Sequence, residues 1–286
     1  MKSNEIHIRD PFVYVEDGRY IMTGTTDSNC WNGDSESFLA YVSDDLENWT
    51  NAGALFQKNP VFWGTMNYWA PEMHKYRGSY YLLATFKAPG HDRATVALKS
   101  ASPLGPFKPF GAQQLTPKGW ESLDGTLHVD ESGKPWLVFC HEWLQVGDGE
   151  MCAMPLKEDL SGPDGEPVVI FHASDAKWVK EIGSDVRGKV TDGPFLFRST
   201  TGKLCMLWSS IGAEGYAISV AVSEGGILGP WKQEEEPFFG KDGGHGMLFT
   251  TKEGQLMLSI HSPNVTPDER PLFIPVKLTE SGLERA

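Results

Sequence analysis

The chain has 286 residues, with 38 acidic against 25 basic side chains, and a formal charge of −13. That balance excludes nucleic acid and anionic membrane as partners, because both demand a basic face. Aromatic content is high at 12 %, and 31 glycines with 19 prolines point to many turns between short strands. The start, MKSNEIHIRD, has no apolar leader core and the chain has no membrane-length apolar run, so the expected location is the cytoplasm, with the periplasm or the exterior as the alternative if a leader has been removed. Cys30, Cys140, Cys152 and Cys205 form no metal-like spacing; Cys140 and Cys205 sit in apolar runs and read as buried thiols.

Taken in chain order, one phrase recurs five times. It is DPFVYVEDGRYIMTGT from Asp10, then APEMHKYRGSYYLLAT from Ala70, then DGTLHVDESGKPWLVFC from Asp124. It returns as DGPFLFRSTTGKLCMLWSS from Asp192 and as HGMLFTTKEGQLMLSIH from His245. Each copy opens on a turn, continues as a short strand, meets a glycine (Gly18, Gly78, Gly133, Gly202, Gly254), and ends in an apolar run. That is the signature of a hairpin. Weaker strands follow, as in AYVSDDLENW, ALKSASPLGPF and AVSEGGILGPW. About four strands per unit and no long helix predict an all-β fold, a five-bladed β-propeller formed as a single domain over residues 1–286. A two-sheet sandwich is the competing all-β architecture, but it does not explain the repeat.

The first strand of each propeller blade lines the central channel, so the phrase openings should converge near the axis. They are Asp10, Ala70, Asp124, Asp192 and His245, with Glu72 two positions into the second copy. A lone Asp before Gly-Pro is ordinarily a turn cap. Three carboxylates and a histidine around one axis predict a site. Two carboxyls facing each other across a channel can act as a paired acid and base. Trp69 and Trp143 are candidates for the flat apolar faces of a ligand pocket, and His141 and Glu142 of CHEW for polar contacts to that ligand. Arg93 and Arg270 are weaker candidate donors.

Together the phrases resemble glycoside hydrolase family 43, five-bladed propellers that cleave arabinose-, xylose- or galactose-containing glycans. The resemblance runs from about Asp10 to His261. It implies that Asp10 in RDPF is the general base, and that Asp124 orients the acid and tunes its pKa. It further implies that Trp69 and the acidic Glu72 in WAPEM border the sugar pocket. His245 in GHGMLFT would face an axial metal or water, which gives one calcium ion as the expected cofactor and no organic one. The family's acid is a glutamate before Gly-Pro; here Thr191-Asp192-Gly193-Pro194 offers an aspartate. Asp192 is therefore the expected acid, with Glu72, Glu142 and Glu181 in reserve. The leading expectation is an inverting, exo-acting enzyme that releases terminal pentose or galactose from an oligo- or polysaccharide. The alternatives are an endo-1,5-α-L-arabinanase, or a carbohydrate-binding propeller weakened by the Glu-to-Asp change. The loops after Thr26 and Phe86 should decide between exo and endo action.

Overall fold

A computed structural model describes residues 1–286. Its strands form five four-stranded antiparallel sheets, each a meander of consecutive strands. Blade one comprises β1 (Arg9–Glu16), β2 (Arg19–Thr25), β3 (Ser37–Ser43) and β4 (Thr50–Gln57). Blade two comprises β5 (Met66–Tyr76), β6 (Ser79–Ala88), β7 (His91–Ser100) and β8 (Lys108–Pro109). Blade three comprises β9 (Ser122–Val129), β10 (Pro135–His141), β11 (Glu150–Pro155) and β12 (Val168–His172), with a short helix α1 (Trp143–Val146) after β10. Blade four comprises β13 (Asp192–Arg198), β14 (Leu204–Gly212), β15 (Gly215–Ser223) and β16 (Trp231–Gln233). Blade five comprises β17 (Gly244–Thr250), β18 (Leu256–Ser262), β19 (Arg270–Leu278) and β20 (Leu283–Arg285). The five-bladed expectation holds. No helix is long and apolar enough to cross a membrane.

The repeated phrase explains the local structure. All five of its glycines have positive φ, which a side chain resists and a tight hairpin requires. In blades one and two, Asp17-Gly18 and Arg77-Gly78 close two-residue turns between Glu16–Arg19 and Tyr76–Ser79. The middle strands lie between neighbouring blades. With both faces covered, β14 is buried along nearly its whole length and reads as an apolar run without alternation.

At the channel mouth each inner strand carries a bulge. The register slips between Arg9 and Phe12, Trp69 and Glu72, Leu123 and Thr126, Asp192 and Phe195, and Gly244 and Met247. Inside each bulge one residue has a left-handed backbone: Asp10 (φ 54°), Ala70 (43°), Asp124 (56°), Gly193 (53°) and His245 (51°). Asp192 is therefore not the structural equivalent of Asp10 and Asp124, and here the repeat reading is corrected. The extra glycine in DGPF moves Asp192 one register position ahead: it pairs with Ser209 as Arg9 pairs with Thr25.

A ring of hydrogen bonds locks these bulges to their neighbours. The amide of each left-handed residue donates to the second strand of the preceding blade. Ala70 donates to Thr25 Oγ1 (2.9 Å), Asp124 to Thr85 Oγ1 (2.9 Å), His245 to Ser209 Oγ (2.8 Å) and Asp10 to His261 Nδ1 (3.1 Å). Only Gly193 departs, donating to the Asp124 carboxylate at 3.1 Å. No strand is exchanged between the first and last blades. The ring closes through Ser259 Oγ donating to the Pro11 carbonyl (2.8 Å), Arg9 paired with Glu269 (2.6 Å), and rings such as Tyr20 against Phe249.

Candidate active site

The bulges bring Asp10, Asp124, Asp192 and His245 to the floor of one cleft of about 340 Å³, a size suited to a few sugar units. His245 stands at the centre. Its Nδ1 lies 3.1 Å from Asp10 Oδ1 and 3.8 Å from Asp124 Oδ2. Burial lowers its pKa, but Asp10, Asp124, Asp192 and Glu72 outweigh that and hold it above its ordinary value. The ring is set among carboxylates that favour its charged form.

The three aspartates sit in unequal surroundings. Burial pushes Asp10 up, yet His245, His261, Arg9 and the Thr25 hydroxyl together hold it below the usual carboxylate range. Thr25 donates to its Oδ2 at 2.6 Å. Burial raises Asp124, and Asp192 and Asp10 add to the rise against the opposing pull of His245 and the Gly193 amide. Burial likewise raises Asp192, with Asp10 adding to the rise and His245, Arg9 and the Tyr216 hydroxyl (3.0 Å from Oδ2) opposing it. At neutral pH Asp10 is ionised, and the Asp124–Asp192 pair retains a proton. One base and one acid across a cleft are what such a split provides.

His261 is pushed down to about 4 by burial and by Arg9, so it is neutral. Its Nδ1 accepts the Asp10 amide, which leaves Nε2 to donate to Asn264 Oδ1 at 3.0 Å. One cleft wall is a pair of aromatics flanked by two cations. Arg9 lies 4.6 Å from the Trp31 ring, Trp31 meets Trp69 edge-on at 5.3 Å, and Arg93 lies 4.4 Å from Trp69. Both arginines are anchored, Arg9 to Glu269 and Arg93 to Glu142, so they offer N–H groups in fixed places. Trp143, Leu144, Ile182 and Ile211 supply apolar surface elsewhere around the cleft.

Gly193 is needed for space more than for its φ, since Ala70 adopts the same backbone with a side chain. A Cβ on Gly193 would come within 2.8 Å of the His245 ring. Gly193→Ala is therefore expected to destabilise the fold by about 1–3 kcal/mol, as overpacking does, and to turn His245 off Asp10 and Asp124. Thermal melting and kcat check this; a variant that melts with the wild type would refute the contact.

Of the residues singled out by sequence, Trp69, Arg93, Glu142 and Trp143 line the same cleft. Glu72 does not. It lies deeper, beside a small cavity under Asp10 and His245, hydrogen-bonded by the Thr126 hydroxyl and 3.3 Å from His74. His141 also turns away, stacked on Trp120 at 4.1 Å and bonded to Glu150 (2.7 Å) and Gln145 (2.8 Å). Glu181 is solvent-facing and paired with Arg187, and Arg270 binds main-chain oxygens of Asn4, Pro267 and Glu269. Sequence reasoning missed Arg9, Trp31, Tyr216 and Asn264. Only Arg9, adjacent to Asp10, carried a signal.

The calcium expectation meets a poor donor set. No group of three or more His, Cys, Asp or Glu side chains is arranged to hold a metal ion. His245 spends Nδ1 on carboxylates, and calcium prefers six to eight oxygens. A calcium ion at the axis would rest on one imidazole and water.

Comparison with known proteins identifies the family of the fold. The model of the family described as Glycosyl hydrolases family 43 matches residues 5–282. The crystal structure of an endo-arabinase from Bacteroides thetaiotaomicron VPI-5482 is 42 % identical, with a TM-score of 0.91 over 99 % of this chain and 98 % of that one. An extracellular endo-α-(1→5)-L-arabinanase of Bacillus subtilis (strain 168) is 25 % identical over 154 residues, covering 50 % of this chain and 46 % of the relative. An extracellular exo-α-(1→5)-L-arabinofuranosidase of Cellvibrio japonicus (strain Ueda107) is 20 % identical over 178 residues, 56 % of this chain and 47 % of the relative. The chain thus matches about half the length of either curated relative.

Proposed function

The chain belongs to glycosyl hydrolase family 43, and from that premise we propose that it is an inverting endo-arabinanase acting on α-1,5-linked L-arabinan. The observation that carries this reading is the 42 % identity with the Bacteroides endo-arabinase over nearly both chains. The exo reading drawn from sequence has less support, since the matched proteins named as exo-acting are 20 % identical over about half of this chain in one case and 19 % identical over 98 % of it in the other. The split of carboxyl pKa values favours a working enzyme over a weakened binding module.

The chemistry follows from the floor of the cleft. Arabinan lies against the Trp31–Trp69 wall, with Arg9 and Arg93 donating to its hydroxyls. Asp10, ionised, takes a proton from a water as the water oxygen bonds to the anomeric carbon. Asp192, protonated, gives its proton to the departing glycosidic oxygen as the carbon–oxygen bond breaks. The configuration at that carbon inverts. Asp124 and Asp192 are both raised and share one proton, which Asp192 carries as the bond breaks. Proton exchange with solvent then restores both groups.

Both curated relatives are named extracellular, which favours a substrate outside the cell over the cytoplasmic one expected from the first residues. Debranched arabinan is the test substrate, with viscosity, product length and anomeric configuration followed at low conversion. An endo-acting, inverting enzyme lowers viscosity early and releases β-configured oligosaccharides. Arabinose as the sole early product would overturn the endo reading.

A further inference from the structure

The ring of inter-blade hydrogen bonds has five places for an acceptor on the second strand. Register assigns them to Thr25, Thr85, Cys140, Ser209 and His261, which pair with Arg9, Trp69, Leu123, Asp192 and Gly244. Four carry an oxygen or nitrogen that takes the next blade's amide at 2.8–3.1 Å. The fifth is a thiol, a weak acceptor. Cys140 is fully buried, which raises its thiol above the ordinary value with Asp124 and Asp192 adding to the rise, and its Sγ lies 4.0 Å from Met151 Sδ. The amide it would have received, that of Gly193, goes instead to Asp124 Oδ2.

Blade one shows what a hydroxyl does in that place. Thr25 accepts the Ala70 amide and donates its own proton to Asp10 Oδ2, so the neighbouring backbone reaches Asp10 only through a relay. In blade three the relay is missing and the backbone of blade four is bonded directly to the carboxylate. The residue so bonded directly follows Asp192.

We propose that Cys140 is a positioning residue for hydrolysis: by leaving one place in the ring without an acceptor, it assigns the Gly193 amide to Asp124 and so fixes the distance between Asp124 and Asp192. This rests on the roles given above to those two aspartates. A charge-assisted bond from a backbone amide is short and directional, and it ties one catalytic carboxyl to the chain that carries the other. The thiol contributes through what it declines to bind.

The test is to give the ring its missing acceptor. Cys140→Ser and Cys140→Thr install the hydroxyl found at Ser209, Thr25 and Thr85, while Cys140→Ala removes the thiol without adding one. Carbonyl-¹³C aspartate with ¹⁵N glycine filters the spectrum to Asp-Gly pairs, and a Gly193→Ala spectrum identifies the Gly193 amide. In the resting protein that amide proton should move upfield in the serine and threonine variants and keep its wild-type position in the alanine variant. With arabinan, the serine variant should lose on the order of 10-fold in kcat relative to the alanine variant, with KM nearly constant, since sub-ångström misplacement of a reacting group acts on turnover. A Gly193 amide that stays put in Cys140→Ser, or serine and alanine variants equal in kcat, would overturn the proposal. The spectral readout needs no substrate. A protein that shows the amide shift yet leaves arabinan intact refutes the arabinanase reading and keeps the hydrogen-bond assignment.

Discussion

Asp10→Asn should reduce kcat on arabinan by about 10²–10⁴-fold, the range for loss of a general base, while the propeller stays folded. The side-chain shape is kept, and Thr25 can still donate to the remaining carbonyl oxygen. What is lost is the charge that accepts a proton from water. The pH profile gives a second readout. Asp10 is held below its ordinary pKa, so the base works above that value and activity falls as pH drops through it. The acid pair is raised, so activity falls again as pH climbs through the upper value. The variant should lose the acidic limb and keep the alkaline one. Azide attacks without surrendering a proton, so it should restore turnover and yield the inverted glycosyl azide. Activity within a few-fold of wild type, with both limbs intact, would remove Asp10 from the role of base.

Much of this was legible in the sequence because a propeller repeats its local physics. Five glycines at hairpin turns and five inner strands follow from turn chemistry and patterning that every blade must satisfy separately. The convergence of Asp10, Asp124 and His245 followed from symmetry alone. What symmetry could not supply were its breaks. The extra glycine of DGPF shifts Asp192 by one register position, and no pattern on one strand reveals which residue its partner will face. Glu72 and His141 failed for a related reason. On a strand, a step of one or two residues changes face or depth, so Glu72 went under the floor and His141 into a buried contact with Trp120 away from the cleft. Trp31, Tyr216 and Asn264 reach the cleft from loops or from other strands of their blades, where the sequence shows no period to follow.

Asp192→Asn should affect substrates in proportion to how badly they leave. Arabinan departs as a sugar alkoxide and needs the proton that Asp192 holds, so kcat on the polymer should fall by about 10²–10⁴-fold. A nitrophenyl glycoside of arabinobiose departs as a stable phenolate and should retain most of its rate. The companion change, Asp192→Glu, restores the residue the family uses at this place and lengthens the side chain by roughly 1.5 Å. Here the site has been fitted to the shorter acid. Tyr216, buried and stacked on His261 at 5.5 Å, presents its hydroxyl 3.0 Å from Asp192 Oδ2. A glutamate must leave that hydroxyl or displace it, and in either case it enters the space meant for the leaving sugar. Asp192→Glu should therefore be slower than wild type on arabinan, and Tyr216→Phe, by removing the fixed partner, should recover part of that loss in the double variant. Equal losses on both leaving groups in Asp192→Asn would move the acid elsewhere, with Glu142 the one carboxyl of the cleft without an assigned role, already raised by its burial but tied to Arg93.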